Sequence, residues 1–377
     1  MVGAGFAACV ITLAAMPVVS AYLRRLSVLD VADERTPHPT PRGSGAAVVL
    51  GLFAGVMFTV LTSGRANAPD LLPMTLAITL FGLLGLAQDV AGNIGGMTPP
   101  RRLAVQVMAA FAVTAMTIVS VTLTGGRPGA GLLVAAILVG PVWLTGLVNA
   151  FKFMDGVNGI SAAQAIVAGA GYALVGTLHH NPPLVTGGAV LAGAAVGFAP
   201  FNVPRALVFL GDAGSCALGA AIAALALQAA LSGVGVEAVL APVVLYLADT
   251  ATTLGRRARA GERWYRPQGG HAYQRLVAAG WSHTATAGYT GLLAALCAML
   301  GLVTAARAAA PVRACADLGV CVLVARYLGA PGRVAARRAA ATVSIGDAAR
   351  TQVSVPVQRG TADTPAEQKL PASVQPE

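Results

Sequence analysis

Four carboxylates are the residues with which this sequence could do chemistry: Asp89, Asp155, Asp212 and Asp249. Each falls at or just inside the end of a long apolar run, and by the charge pattern described below all four ends lie on one side. A carboxylate at membrane depth costs roughly 2.5–3.5 kcal/mol on insertion scales, so it faces a polar cavity rather than lipid. Clustered carboxylates bind a hard divalent cation through oxygen, and Mg²⁺ typically takes one or two of them plus substrate phosphates. Glycines surround two of the four, in Asp155-Gly156 and in Gly211-Asp212-Ala213-Gly214-Ser215. They permit tight turns and close backbone approach. Gly214-Ser215 opens an apolar run, so its free N–H groups could face a phosphate. Arg35 and Arg42 flank His38, and planar guanidinium forks suit phosphate oxygens. The chemistry implied is phosphate transfer with Mg²⁺ at a membrane surface, one substrate arriving from water and the other from lipid.

The elements that must position these residues are apolar helices. Of the 377 residues, 56% are hydrophobic and only 11% charged, and the mean hydropathy is +0.72. A soluble domain carries about 25% charged residues, so this chain cannot cover a globular surface with polar groups. Eleven runs are long enough to cross a bilayer: 3–23, 45–62, 71–88, 103–123, 132–148, 160–178, 184–200, 214–231, 238–254, 284–305 and 310–328. Arg313 and Asp317 lie four apart in the last run, where they could pair on one helix face. The first run lacks a small-residue cleavage site and is followed by Arg24-Arg25, which reads as a retained helix.

Of the 25 Lys and Arg residues, Arg313 and Arg326 lie within the last run, and the other 23 divide unevenly between the two sets of loops, 20 on one side and 3 on the other. The positive-inside rule then puts the N-terminus outside and the C-terminus in the cytoplasm. The formal charge of +10 is thereby explained by topology and anionic lipid, and no nucleic-acid partner is expected. The expected fold is an all-α polytopic membrane protein with about 11 transmembrane helices. Residues 1–328 form its membrane domain, and 329–377 form a disordered basic tail rich in Ala, Pro, Ser and Thr.

The motifs stand in a recognisable order. They comprise Arg35-Thr36-Pro37-His38-Pro39-Thr40-Pro41-Arg42-Gly43-Ser44-Gly45, then Gly85-Leu86-Ala87-Gln88-Asp89, then the stretch Asn149 to Gly159. Phe209 to Ser215 follow, then Asp249 with Arg256-Arg257, and finally His271 to Leu276. In this the chain resembles the polyprenyl-phosphate N-acetylhexosamine-1-phosphate transferases, nearer their N-acetylglucosamine and polysaccharide branch than the muramoyl-pentapeptide branch. The resemblance implies transfer of N-acetylhexosamine-1-phosphate from a UDP-sugar to polyprenyl phosphate with release of UMP, in a bacterial cytoplasmic membrane. It implies Mg²⁺ as cofactor, with Asp212 the main ligand and Asp89 beside it. By the same resemblance Asp89 acts near the lipid phosphate as base or orienting carboxylate, and His271 sits at the phosphates. Phe209 stacks near uracil, and Asp155 and Asn158 contact the nucleoside. Arg35, His38, Arg42, Asn149, Lys152, Gly211, Ser215, Asp249 and Arg256 complete the implied binding set. A homodimer is a further expectation from the resemblance.

The chain departs from the family pattern at several points. Gln88 stands where the first residue of an Asp-Asp pair is usual, and Lys152 where Asn is usual. Gln268 replaces the first His of the terminal cluster, and Thr36-Pro37 displace the cation before His38. Gln cannot ionise or act as a base. Losing one carboxylate and gaining one cation shifts the site by two positive charges, which favours anionic substrates and disfavours Mg²⁺. Other readings stay open: a divergent paralogue that binds lipid phosphate or nucleotide without turnover, a muramoyl-type transferase, and a transporter, whose polar residues should lie near the bilayer midplane.

Overall fold

The computed structural model describes residues 2–30, 38–63, 68–91, 96–262 and 270–353. Arg35 and Gln268 lie outside these residues. The expected eleven apolar helices are present, each long and apolar enough to cross a membrane. The protein is an all-α polytopic membrane protein.

The long helices run in chain order as α1 (Val2–Arg25), α2 (Gly45–Ser63), α3 (Ala68–Ala91), α4 (Pro99–Leu123), α5 (Ala130–Met154), α6 (Ile160–Leu178), α7 (Pro182–Phe198) and α8 (Gly211–Leu231). Short α9 (Val236–Leu240) leads into α10 (Val244–Arg259), and these are followed by short α11 (Ala272–Ala278), then α12 (His283–Ala305) and α13 (Ala310–Val353). The chain divides into two compact units, 1–332 and 333–377. In the second, the described residues continue as helix to Val353, where sequence patterning suggested a disordered tail from 329. The segment is rich in Ala and Arg, two of the best helix formers, and propensity alone carries a helix without an apolar period. Residues 354–377 lie outside the described set.

Helix α8 is the hub of the first unit. It packs against α3 and α5 most extensively and touches α2, α4, α6 and α7 as well. Nearly every residue in it is buried, because Gly and Ala at most positions let neighbouring backbones come close. Gly85 on α3 shows how close. A Cβ there would stand 2.1 Å from the Asp212 carbonyl oxygen, which is backbone and cannot rotate away. Gly85→Ala is therefore expected to push α3 off α8 and lower stability by about 1–3 kcal/mol. An unchanged thermal midpoint in detergent would show that this approach is not tight.

The ninth span is broken in the middle. Pro242 has no N–H to donate and interrupts the helical ladder, and a 3₁₀ turn at Ala241–Val243 joins α9 to α10. The freed carbonyls find donors on α6: Gln164 Nε2 donates to Pro242 O at 2.6 Å, and Tyr172 OH to Val239 O at 3.0 Å. A backbone break inside a membrane is tolerated when protein groups satisfy it in this way.

In the eleventh span Arg313 pairs with Glu237 of α9 at 3.0 Å, not with Asp317 as their spacing had suggested. The two positions are neighbours on α13, but a carboxylate on the adjacent element reaches the guanidinium.

Alternation of the spans brings the ends of α1, α3, α5, α7 and α10 to one side, with the starts of α2, α4, α6, α8 and α12. A two-residue hairpin, β1 (Leu29–Asp30) and β2 (Thr40–Pro41), lies there with Leu29 opposite Pro41. Phe209 N donates to Pro41 O at 2.9 Å and Ser44 N to Phe209 O at 3.2 Å, which docks the hairpin on the loop before α8.

Candidate active site

The site is built where helices outlast their apolar runs. Helix α3 continues past residue 88 to include Asp89, and α4 begins four residues early, at Pro99-Pro100, with Arg102 in its first turn. Helix α5 extends to Met154, adding Asn149 and Lys152 on adjacent turns of one face, and α8 begins at Gly211, placing Asp212 in its first turn. These extensions meet.

Asp89 is enclosed, and its carboxylate holds the start of α8. Oδ1 accepts from Asp212 N at 3.0 Å and Oδ2 from Ala213 N at 2.8 Å. Arg42 Nε donates to Oδ1 at 3.2 Å. The N-terminus of α8 attracts negative charge as expected of a helix start, but the anion seated there is Asp89 rather than a ligand phosphate. The turn that allows this needs Gly211, whose φ is +71° and whose added Cβ would stand 2.5 Å from Gly43 N. Ser215 is buried, and its hydroxyl donates to Gly211 O at 2.8 Å, so it does not face a phosphate either.

Asp212 has a different environment. Lys152 Nζ donates to its Oδ2, and Arg42 Nη2 stands 3.9 Å from its Oδ1. Lys152 also donates to Gln88 Oε1 at 3.3 Å, and the same oxygen accepts from Arg102 Nη1 at 3.1 Å. Arg102 Nη2 donates to Asn149 Oδ1 at 3.3 Å, and Asn149 Nδ2 donates to Gln106 Oε1 at 2.9 Å. Three cations thus surround two carboxylates and one neutral amide. Asp30 stands 3.8 Å from Arg42 at the exposed rim. Burial disfavours the charge on Arg42, but Asp89, Asp212 and Asp30 more than restore it and raise its pKa above the ordinary arginine value. Arg42 stays charged at any working pH.

Arg102 was missed in reading the sequence, where it counted only as a marker of topology. One signal was available. A cation in a helix's first turn opposes the helix dipole, so Arg102 needs a partner outside its own helix, and Gln88 and Asn149 supply it.

The remaining expected residues divide into three groups. Asp155 caps the end of α5 and accepts from Ser161 Oγ at 2.7 Å. Asn158 is buried next to it, and its N–H donates to His283 Nδ1 at 3.4 Å. Phe209 is half-buried in the loop before α8, and His38 is exposed two residues before β2. A third group centres on Asp249, which is fully buried. Its carboxylate accepts from Ala272 N at 3.0 Å, Thr253 Oγ1 at 3.2 Å and Tyr327 OH at 2.9 Å, and His271 Nδ1 stands 3.3 Å away. Asp249 is therefore a positioning residue that fixes His271 and the start of α11, out of reach of any substrate. Arg256 likewise donates to Gly270 O at 2.8 Å and Thr253 Oγ1 at 3.0 Å, which pins the segment leading to His271. Tyr327→Phe, which removes one bond to a buried carboxylate, is expected to lower stability by about 1.5–3 kcal/mol. Thermal unfolding in detergent checks it, and a loss within error would remove Tyr327 from this network.

The magnesium expectation rests on Asp89 and Asp212, and the donor set around them does not fit a divalent ion. Asp89 gives its oxygens to two N–H groups and a guanidinium. Asp212 gives its own to an ammonium and a guanidinium. A divalent ion about 4 Å from Lys152 Nζ would meet roughly 8 kcal/mol of repulsion at an effective dielectric near 20. Among the described residues, no group of three or more His, Cys, Asp and Glu side chains is arranged to hold a metal.

Comparison with known proteins fixes the lineage. The glycosyl transferase family 4 model matches residues 71–230. A decaprenyl-phosphate N-acetylglucosaminephosphotransferase of Mycobacterium leprae is 30% identical over 312 residues, covering 74% of this chain and 77% of that protein. The chain belongs to glycosyl transferase family 4. A probable undecaprenyl-phosphate N-acetylglucosaminyl 1-phosphate transferase of Bacillus subtilis is 25% identical over 272 residues, covering 71% and 74% of the two chains. A phospho-N-acetylmuramoyl-pentapeptide-transferase of Moorella thermoacetica is 31% identical over 237 residues, covering 59% and 73%. The family-4 match includes Asp89, Arg102, Lys152, Asp155 and Asp212, whereas Arg42 precedes the matched region.

Proposed function

We propose that this protein transfers N-acetylhexosamine-1-phosphate from a UDP-sugar to a polyprenyl phosphate in a bacterial cytoplasmic membrane. The observation that carries the reading is the cluster of Arg42, Arg102 and Lys152 around Asp212, at the helix ends of a family-4 membrane protein. The positive-inside charge bias supports assigning these ends to the cytoplasm, where a nucleotide sugar is available and a lipid phosphate reaches the same depth.

The chemistry needs little from the protein beyond position and charge. A phosphate monoester has a second pKa near 6, so the polyprenyl phosphate arrives with its attacking oxygen already ionised. That oxygen forms a bond to the β-phosphorus of the UDP-sugar. The bond from β-phosphorus to the bridging oxygen breaks, and its electron pair leaves on UMP. No proton moves, which is why the site can use Asp89 as an anchor and still work. Phosphoryl transfer depends chiefly on in-line placement and on offsetting charge. Lys152, Arg42 and Arg102 supply that charge, Asp212 holds Lys152 in place, and Phe209, Asp155 and Asn158 are the residues we assign to the nucleoside.

Purified protein in detergent, given labelled UDP-N-acetylglucosamine and undecaprenyl phosphate, is expected to release UMP only when the lipid phosphate is present. UMP release independent of the lipid would mean a hydrolase. No release, beside an active relative under the same conditions, would favour a paralogue that binds without turnover.

A further inference from the structure

We propose that Lys152 is the resident cation of this site, its ammonium taking the place of a divalent metal ion, so that the protein handles phosphate groups without one. The inference rests on the transferase reading for its substrate but on the geometry alone for its charge.

Three observations carry it. First, Lys152 Nζ is bonded to both Asp212 and Gln88, so the ammonium occupies the only carboxylate that the start of α8 leaves to other partners. Its side chain is 17% exposed and that of Asp212 10%, and with two of its three N–H bonds spent inward, one remains for a ligand oxygen. Second, residue 88 is an amide whose oxygen accepts from two cations at once, Lys152 and Arg102. This orientation leaves Gln88 Nε2 enclosed with no acceptor. A buried donor without a partner is unfavourable, and it persists because turning the amide over would aim its NH₂ at two cations. The amide is thus set by the cations, as expected if they belong to the resting site. Third, the change is paired. An Asp at 88 and an Asn at 152 would present carboxylates at 88 and 212 without the ammonium that now bridges these two positions. Gln88 and Lys152 together present one carboxylate already neutralised.

Arg102 and Arg42 flank this ammonium, and the three cations are arranged for the oxygens of a diphosphate rather than for a metal. Asn149 holds Arg102, so the arrangement is braced on α4 and α5 before any ligand arrives.

The test is a Mn²⁺ titration of the full-length detergent-purified protein followed by electron paramagnetic resonance, with transfer measured in parallel with Mg²⁺ and with EDTA. The wild type is expected to leave the free Mn²⁺ signal unchanged at concentrations where Lys152→Asn/Gln88→Asp takes up one ion at least about tenfold more tightly. UMP release by the wild type is expected to change less than about twofold in EDTA. Stoichiometric Mn²⁺ binding by the wild type, as tight as in the double variant, would overturn the proposal, as would abolition of its transfer by EDTA. If the double variant does not fold, the wild-type titration alone decides between the two outcomes. Absent UMP under every condition, with wild-type protein that ignores Mn²⁺ and a double variant that binds it, would sink the transferase reading and leave the resident cation standing.

Discussion

Replacing Lys152 with Met is expected to lower kcat for UMP release by about 10²–10³, the usual consequence of removing one positioned group that meets charge developing in the transition state. Met keeps most of the apolar stem and fills the same space at the end of α5, so the helix and its packing on α8 persist. What disappears is the ammonium between Gln88 and Asp212. Asp212 is then left with Arg42 at 3.9 Å as its cation, and its charge faces the incoming diphosphate. Both changes act in the same direction. Lys152→Arg retains the charge but carries it on a planar fork, which does not fit a point between two oxygens that a tetrahedral ammonium bridges. It is expected to recover only part of the loss. Kinetics of UMP release, with a melting curve for each variant, check the prediction. A Lys152→Met protein within about threefold of wild type would mean that charge at this point does not act on the reaction.

The second large effect is expected at Asp89, and it appears in stability as much as in rate. Asp89→Ala leaves the N–H groups of Asp212 and Ala213 without acceptors and takes from Arg42 its nearest carboxylate. Two hydrogen bonds to a charged group are worth about 1.5–3 kcal/mol each. Arg42 is 44% exposed, so water offsets most of its loss, and a total of about 3–6 kcal/mol is expected. Asp89→Asn fares little better, because one of the two N–H groups then meets an NH₂ in place of an oxygen. A general base would show another pattern: full stability, with activity that falls in both variants and follows the ionisation of one carboxylate. The thermal midpoints of the two variants in detergent separate the roles. Unchanged midpoints would contradict the anchoring role.

How much of this was legible from the sequence depends on which physical signal each feature leaves. Hydropathy located every span, because lipid exposure demands apolar side chains whatever the tertiary packing. It ended the helices too early at the places that matter. Asp89, Arg102, Asn149, Lys152 and Asp212 all lie where a helix extends beyond one end of its apolar run, since hydropathy reports contact with lipid and not the extent of the hydrogen-bonded ladder. The loops expected to carry chemistry were singled out as a set. The partners within them were not, because pairing between residues 42 and 89, or 152 and 212, is a matter of tertiary approach that no local spacing encodes. Gly85 and Gly211 hinted at that approach, but a glycine does not name the backbone it lets in. Asp249 illustrates the opposite error. It stood in the same row as the other carboxylates and read as a ligand-binding group, whereas burial and three donors make it a fixture for His271. Lys152 is where sequence and structure agree most closely. A single lysine in the membrane-embedded part of the chain, at a position where the family pattern has Asn, shifted the expected charge of the site, and the geometry places that charge on Asp212.

The most direct measurement of the central claim follows the β-phosphorus. Undecaprenyl phosphate in liposomes with the purified protein would be given UDP-N-acetylglucosamine labelled with ³²P at the β position. The account predicts that the label passes into the lipid phase in step with release of unlabelled UMP into water. Label that stays in water as UDP while sugar alone enters the lipid, or that appears as N-acetylglucosamine-1-phosphate, would contradict it.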